Sequence, residues 1–135
     1  MQSGCQIYIK GSIEAVALYV KAFNLTLGIV DQYEDGTYRH VSLMSGENEI
    51  VAIGEDCHYD QHADGFTGGK LPNVAFNVHS LGTKEAVDHA YAVLSEHARY
   101  NQNPEGPESP DWDQNNAEYW FGLVDKFGIY WGVGM

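Results

Sequence analysis

The side chains best able to do chemistry crowd into one stretch of the chain. Cys57, His58, Asp60, His62 and Asp64 all carry atoms that can ligate a metal ion. If the segment were extended, the alternation Asp60-x-His62-x-Asp64 would put three donors on one side. The surroundings argue the other way. Gly65, Gly68 and Gly69 follow closely, and nothing in the pattern supplies the supporting hydrogen bonds that orient metal ligands. A solvated loop is the competing reading. His40, His79, His89 and His97 fall at strand or helix surface positions. No nucleophile elbow and no phosphate-cradling loop is present.

Charge narrows the classes of partner. Nineteen acidic residues against seven basic ones give a formal charge of −12. That excludes nucleic acid as an expected partner, because its binding rests on Lys and Arg neutralising phosphates. It argues equally against an anionic membrane surface. No 18-residue apolar run occurs, and the opening MQSGCQIYIK has no apolar core of a signal peptide, so a soluble, cytoplasmic protein is expected. Cys5 and Cys57 could form one disulfide, but in such a chain reduced thiols are favoured.

The elements that must position any site follow a repeated order. Gln6–Lys10 alternates as a short strand with Ile7 and Ile9 on one face. Ser12 is a plausible helix cap, and Ile13, Val16, Ala17, Val20 and Phe23 mark the inward face of a helix ending near Asn24. Strands follow at Leu27–Tyr33, Tyr38–Met44 and Glu49–Ile53, with Asp35-Gly36 and the stretch from Ser45 to Asn48 as turns. A polar loop, Glu55–Asn73, comes next. Then the order restarts, with a strand at Val74–Val78, Thr83 as a capping residue and a helix over Thr83–Ala98. Val87, Ala90, Tyr91 and Leu94 face inward on that helix. A short strand is expected near Arg99–Gln102. Glu14-Ala15-Val16 and Glu85-Ala86-Val87 open the two helices at matching points, which points to a duplicated unit.

The chain closes on Trp120–Val133, two aromatic and β-branched runs around Asp125-Lys126-Phe127-Gly128. Those residue types favour a half-buried pleated surface, and Asp and Gly supply turn chemistry between them. The stretch reads as a hairpin. Ile129, Trp131 and Val133 share one face, and Tyr130, Gly132 and Gly134 share the other. The expected fold is α+β, two βαβββ modules over about 1–56 and 72–135 within one domain. Ile7, Ile9, Val16, Val20, Phe76, Val87, Leu94 and Trp131 form the expected core.

Two such modules in a chain this short resemble the vicinal oxygen chelate superfamily of glyoxalases, bleomycin resistance proteins and extradiol dioxygenases. The tail Val124-Asp125-Lys126-Phe127-Gly128-Ile129-Tyr130-Trp131 is similar to the Asp-x-Phe-Gly-x-x-Trp ending of its PhnB-like branch. Ile9-Lys10-Gly11, Glu14-Ala15 and Tyr19-x-x-Ala22-Phe23 are similar to that branch's first strand and helix. Relatives often carry a demethylubiquinone methyltransferase label, but no Gly-rich loop here opens a nucleotide-binding βαβ unit, and no cofactor is expected.

The resemblance also implies where a metal would sit. Metal-dependent members hold their ion with His, Gln or Glu from the first and last strands of each module. Carried onto this chain, the positions fall near Gly4 to Gln6, at about Ala52, at Asn73 and at Gly132. Ala and Gly have no donor atom, amides are poor ligands for transition metals, and one ligand does not hold an ion. The expectation is therefore a metal-free protein. What remains is the concave cavity that the resemblance implies, with parity placing Tyr8, Lys10, Asn73, Asn77 and Tyr130 on its walls beside Gln6 and Gly132. Aromatic faces with a few polar groups suit a small-molecule ligand. A filled groove or a dimer interface is the plainer reading of the same residues, and Lys10 alone would ordinarily be a solvated strand residue. The primary expectation is small-ligand binding. The alternative is a metal-independent enzyme using Tyr8, Tyr130 or Lys10 for acid–base chemistry. A homodimer is expected, because a small chain leaves sheet edges and apolar surface to cover.

Overall fold

A computed structural model of the chain describes residues 4–56, 75–109 and 118–135. The chain divides into two compact units, residues 1–63 and 64–135. In the first, β1 (Gln6–Ile9) leads into α1 (Ser12–Phe23), then β2 (Thr26–Gln32), β3 (Tyr38–Ser45) and β4 (Asn48–Glu55). The second repeats the order with β5 (Ala75–Val78), α2 (Lys84–Leu94), β6 (Tyr100–Asn101), β7 (Trp120–Val124) and β8 (Tyr130–Gly134). The sheets are ordered β1-β4-β3-β2 and β5-β8-β7-β6. In each, the first strand runs parallel to the last and the remaining pairs are antiparallel. This is the βαβββ module, twice, and the short strand foreseen near Arg99–Gln102 is β6.

In the first unit the sheet buries Ile9, Val41, Leu43, Val51 and Ile53 on the side of α1. The helix meets them with Ser12, Ala15, Val16, Tyr19 and Ala22. That corrects the sequence expectation. Val16 is buried, but Ile13 is half exposed, Ala17 is exposed, and Val20 and Phe23 are only partly buried. So many α1 residues are apolar that periodicity alone leaves the helix's rotation open. What fixes it is chemistry at its start, where Ser12 is fully buried and its Oγ accepts the backbone N–H of Tyr38 at 3.0 Å.

Ser12 is thus the first helical residue and not the cap. Gly11 occupies the cap position at φ 89°, and it has no side chain to cap with. The open amides of Gly11 and Ser12 are satisfied from afar by Glu55 at the end of β4, whose two carboxylate oxygens accept them at 3.0 and 2.7 Å. A carboxylate there also meets the positive end of the helix dipole. Thr83 does cap α2 as its sequence context suggests, accepting the amide of Ala86 at 3.2 Å. That helix stops at Leu94, short of Ala98. His97 then turns left-handed at φ 60°, and the Arg99 amide bonds to Val124 to begin β6.

The second core gathers Val87, Ala90, Val93 and Leu94 of α2 against Phe121, Leu123, Trp131 and Val133. Tyr91 meets Phe121 edge-on at 5.3 Å, and Phe76 lies 5.4 Å from Trp131. The hairpin parity read from the sequence holds: Trp131 and Val133 are 1% exposed, while Tyr130 and Gly132 look to the other face.

Candidate functional site

On the face of the second sheet turned away from α2, strand alternation brings up Trp120 and Gly122 from β7, and Tyr130, Gly132 and Gly134 from β8. Gly122 pairs with Gly132, and Trp120 with Gly134. The Gly122–Gly132 pair, with Gly134 beyond it, leaves bare backbone as a floor, and neighbouring side chains lie down on it. A Cβ on Gly132 would come within 2.5 Å of Asn77 Oδ1. One on Gly122 would come within 2.5 Å of the Tyr130 hydroxyl and 2.7 Å of Gln102 Oε1. Those spacings are below any ordinary contact, so glycine is required at both positions for these side chains to sit where they do.

Above that floor is a cavity of about 480 Å³, lined by Asn77, His79, Glu118, Tyr119, Trp120, Tyr130 and the residues from Gly132 to Met135. Its size is within the range usual for small-ligand sites. The Tyr130 hydroxyl donates to Gln102 Oε1 at 2.9 Å. Burial pushes its ionisation up, and the nearby Tyr100 adds to that. At the rim, Tyr119 donates to Asp88 of α2 at 2.6 Å, and that bond is the main reason its pKa is pushed up to about 12.

Of the residues expected to form a site, Asn77, Tyr130 and Gly132 are brought together in this cavity. Gln6 and Tyr8 belong to the other unit, on the face of its sheet away from α1. Gly54, the β4 residue opposite Tyr8, lies beneath both of them: a Cβ there would come within 2.7 Å of Gln6 Nε2 and 3.1 Å of Tyr8. Lys10 sits in the turn after β1, exposed and outside the strand. Asn73 falls outside the described residues, as do Cys57, His58, Asp60, His62 and Asp64.

Two histidines placed on surfaces by the sequence have more definite surroundings. His79 continues the Asn77 face of β5 and lines the cavity, a position its i+2 spacing from Asn77 could have signalled. His40 is partly buried, with Nδ1 2.7 Å from Gln6 Oε1 and Nε2 3.3 Å from Ser42 Oγ. Ser42 in turn donates to Glu49 at 2.5 Å. This cross-strand chain depends on β3–β4 register, including the irregularity next to Leu43, and no local sequence signal gives it.

Those of the metal positions implied by the resemblance that the structure describes do not fit an ion. On the first sheet Gln6 pairs with Ala52, and on the second Gly132 lies opposite Asn77, while Asn73, the remaining position, falls outside the described residues. A methyl group and a bare backbone offer no donor. Asn77 Oδ1 already occupies the space into which a side chain on Gly132 would project. Of the described positions only Gln6, or Cys5 beside it, carries a donor, and one ligand does not hold an ion. Elsewhere among the described residues, no three His, Cys, Asp or Glu side chains converge to hold an ion. Among the described residues no helix is long and apolar enough to cross a membrane.

No family profile matches the sequence, and no curated protein does. Solved structures do match. The PhnB protein from Bacillus cereus superposes with a TM-score of 0.71 at 17% identity, covering 99% of this chain and 98% of that one. A protein from Pseudomonas aeruginosa gives 0.69 at 15% identity, covering 99% and 96%. A glyoxalase/bleomycin resistance protein/dioxygenase family enzyme from Burkholderia phytofirmans gives 0.59 at 16% identity, covering 98% and 95%. The chain therefore has the two-module fold of the glyoxalase/bleomycin resistance/dioxygenase proteins, the vicinal oxygen chelate fold, with a PhnB protein among its structural neighbours.

Proposed function

We propose that this protein binds a small molecule without the aid of a transition metal, holding it in the cavity over the glycine floor of the second sheet. The observation that carries the reading is the combination at that floor: Gly132 and Gly134 keep about 480 Å³ open between Tyr130, Trp120, Asn77 and His79. A sheet merely packed on another surface has no need of glycines that weaken it. Stacking surfaces and a few polar heads suffice to retain a ligand without chemistry. In keeping with this reading the protein acts in the cytoplasm, has no nucleic-acid or membrane partner, and pairs as a homodimer.

Acid–base turnover in the same cavity is the second reading, and His79 supports it, since an imidazole has one nitrogen to donate a proton and another to accept one. Tyr130 is a poor base there, because burial pushes its ionisation up. Native mass spectrometry of freshly purified protein, with elemental analysis alongside, tests the proposal. The expected result is a co-purifying organic mass that Gly134→Leu abolishes, and no stoichiometric zinc, nickel or iron. About one such metal per chain would overturn the metal-free reading. If it vanished with His58→Ala and His62→Ala, the ion would belong to the Cys57–Asp64 stretch.

A further inference from the structure

We propose that the ligand of this cavity is an uncharged, planar nitrogen heterocycle whose edge carries a hydrogen-bond donor beside an acceptor, read by Asn77 and His79. The inference rests on the reading of the cavity as a binding site and adds the chemistry that the site selects.

Asn77 of β5 and His79, the residue just past its end, both line the cavity. Among the described residues neither head group has a hydrogen-bond partner, which sets them apart from Tyr130 and Tyr119, both already engaged. A carboxamide is a fixed donor–acceptor pair, and it meets a complementary ring edge with two parallel hydrogen bonds. Two residues along a strand put the imidazole roughly 7 Å from the amide, about the span of a bicyclic ring system. The Tyr130 and Trp120 rings offer faces on which such a ring stacks.

Two alternatives fit less well. An apolar ring would strand both polar heads away from water, at a cost of roughly tenfold in affinity for each. An anionic ligand such as a nucleotide would find no Lys or Arg among the described residues lining the cavity, the nearby Lys84 ammonium lying 4.9 Å over the Tyr119 ring, and would face Glu118 on a chain of formal charge −12.

Isothermal titration of the intact protein with adenine, hypoxanthine, pterin and lumichrome tests the proposal, with naphthalene and adenosine monophosphate as comparators. At least one heterocycle should bind tenfold or more tighter than both comparators. Asn77→Leu should weaken that heterocycle at least tenfold while leaving naphthalene within about twofold, and His79→Phe should act in the same direction. Both positions are exposed, and circular dichroism melting confirms that the variants fold. If no heterocycle outcompetes naphthalene, or if Asn77→Leu weakens both alike, the proposal is overturned. If naphthalene alone binds and Gly134→Leu blocks it, the edge reading falls while the cavity's role as a binding site stands. If nothing binds, both fall.

Discussion

The carboxylate of Asp125 holds the indole of Trp131 across the closing hairpin. Its Oδ2 accepts the Trp131 N–H at 2.9 Å, while Oδ1 accepts the amides of Phe127 at 2.8 Å and Ile129 at 3.1 Å. Both residues are buried, Asp125 completely and Trp131 to 1% exposure. One carboxylate therefore shapes the turn and fixes the largest side chain of the second core. Trp131→Ala should destabilise by about 3–5 kcal/mol through the cavity it leaves. Asp125→Ala, which strands three donors, should cost roughly 3 kcal/mol or more. Because the two side chains share a bond, the double variant should lose less than the sum. Urea denaturation followed by circular dichroism checks all three. An unchanged midpoint for Trp131→Ala would contradict its placement.

The first helix should depend on a residue far from it in sequence. Glu55→Ala removes the acceptors for the amides of Gly11 and Ser12 and should cost about 1–2 kcal/mol, the usual worth of a helix cap. Glu55→Gln keeps an acceptor but loses the charge opposite the helix dipole, and should fall between the two. Thermal melting orders the three proteins. A Glu55→Ala melt that matches the parent would show that water caps the helix as well.

Tyr119 gives the stability an alkaline limb. Its pKa is raised from the ordinary 10.0 to about 12, so the folded protein favours the protonated phenol. The resulting stability is fully present below pH 10. It is lost as the pH climbs from about 10 towards about 12, as the unfolded chain ionises first. Tyr119→Phe should flatten that limb without altering stability at pH 7–9 beyond the loss of its bond to Asp88. Denaturation midpoints between pH 9 and 12 provide the measurement. A limb of equal slope in the variant would assign it to another group.

The assembly should be a dimer. Every residue of β2 is exposed, including Leu27, Ile29 and Val30 at 44%, 70% and 46%, and the strand forms an edge of its sheet. Among the described residues these three form a run of uncovered large apolar side chains on one strand, whereas Phe121, Leu123, Trp131 and Val133 of the C-terminal hairpin are spent in its own core. A permanent pairing would bury on the order of 2,000 Å² in total. Sedimentation equilibrium at physiological salt should return twice the 15.0 kDa chain mass, and Ile29→Glu with Val30→Glu should halve it. A single-chain mass for the parent at micromolar concentration would sink the dimer.

What the sequence disclosed depended on how locally each feature was encoded. The hairpin was legible because Asp125 and Gly128 bracket strict alternation, and alternation alone assigns Trp131 inward and Tyr130 outward. From there Asn77, Tyr130 and Gly132 followed by parity, and the structure gathers them in one cavity. The rotation of α1 was not legible, because its apolar residues cover more than one face and the deciding contact, Ser12 to Tyr38, spans 26 residues. The Glu55 cap spans more than 40. The cavity's remaining walls come from Tyr119 and Glu118, just before β7, where the polar stretch preceding them carries no periodic signal. Gln6 and Tyr8 were assigned by the same parity, and each rests over Gly54 in the first unit.

A floor built of Gly132 and Gly134 gives the cavity an asymmetric capacity to evolve. Any single substitution there adds atoms, so drift in the floor can only shrink the site; none can enlarge it. Side chains on β5 carry no such restriction, since exposed Asn77 and His79 can be swapped for other heads of similar reach without touching the core beneath. Selection for a new ligand would therefore be recorded first at 77 and 79, while the glycines behind them change only when the site is being closed.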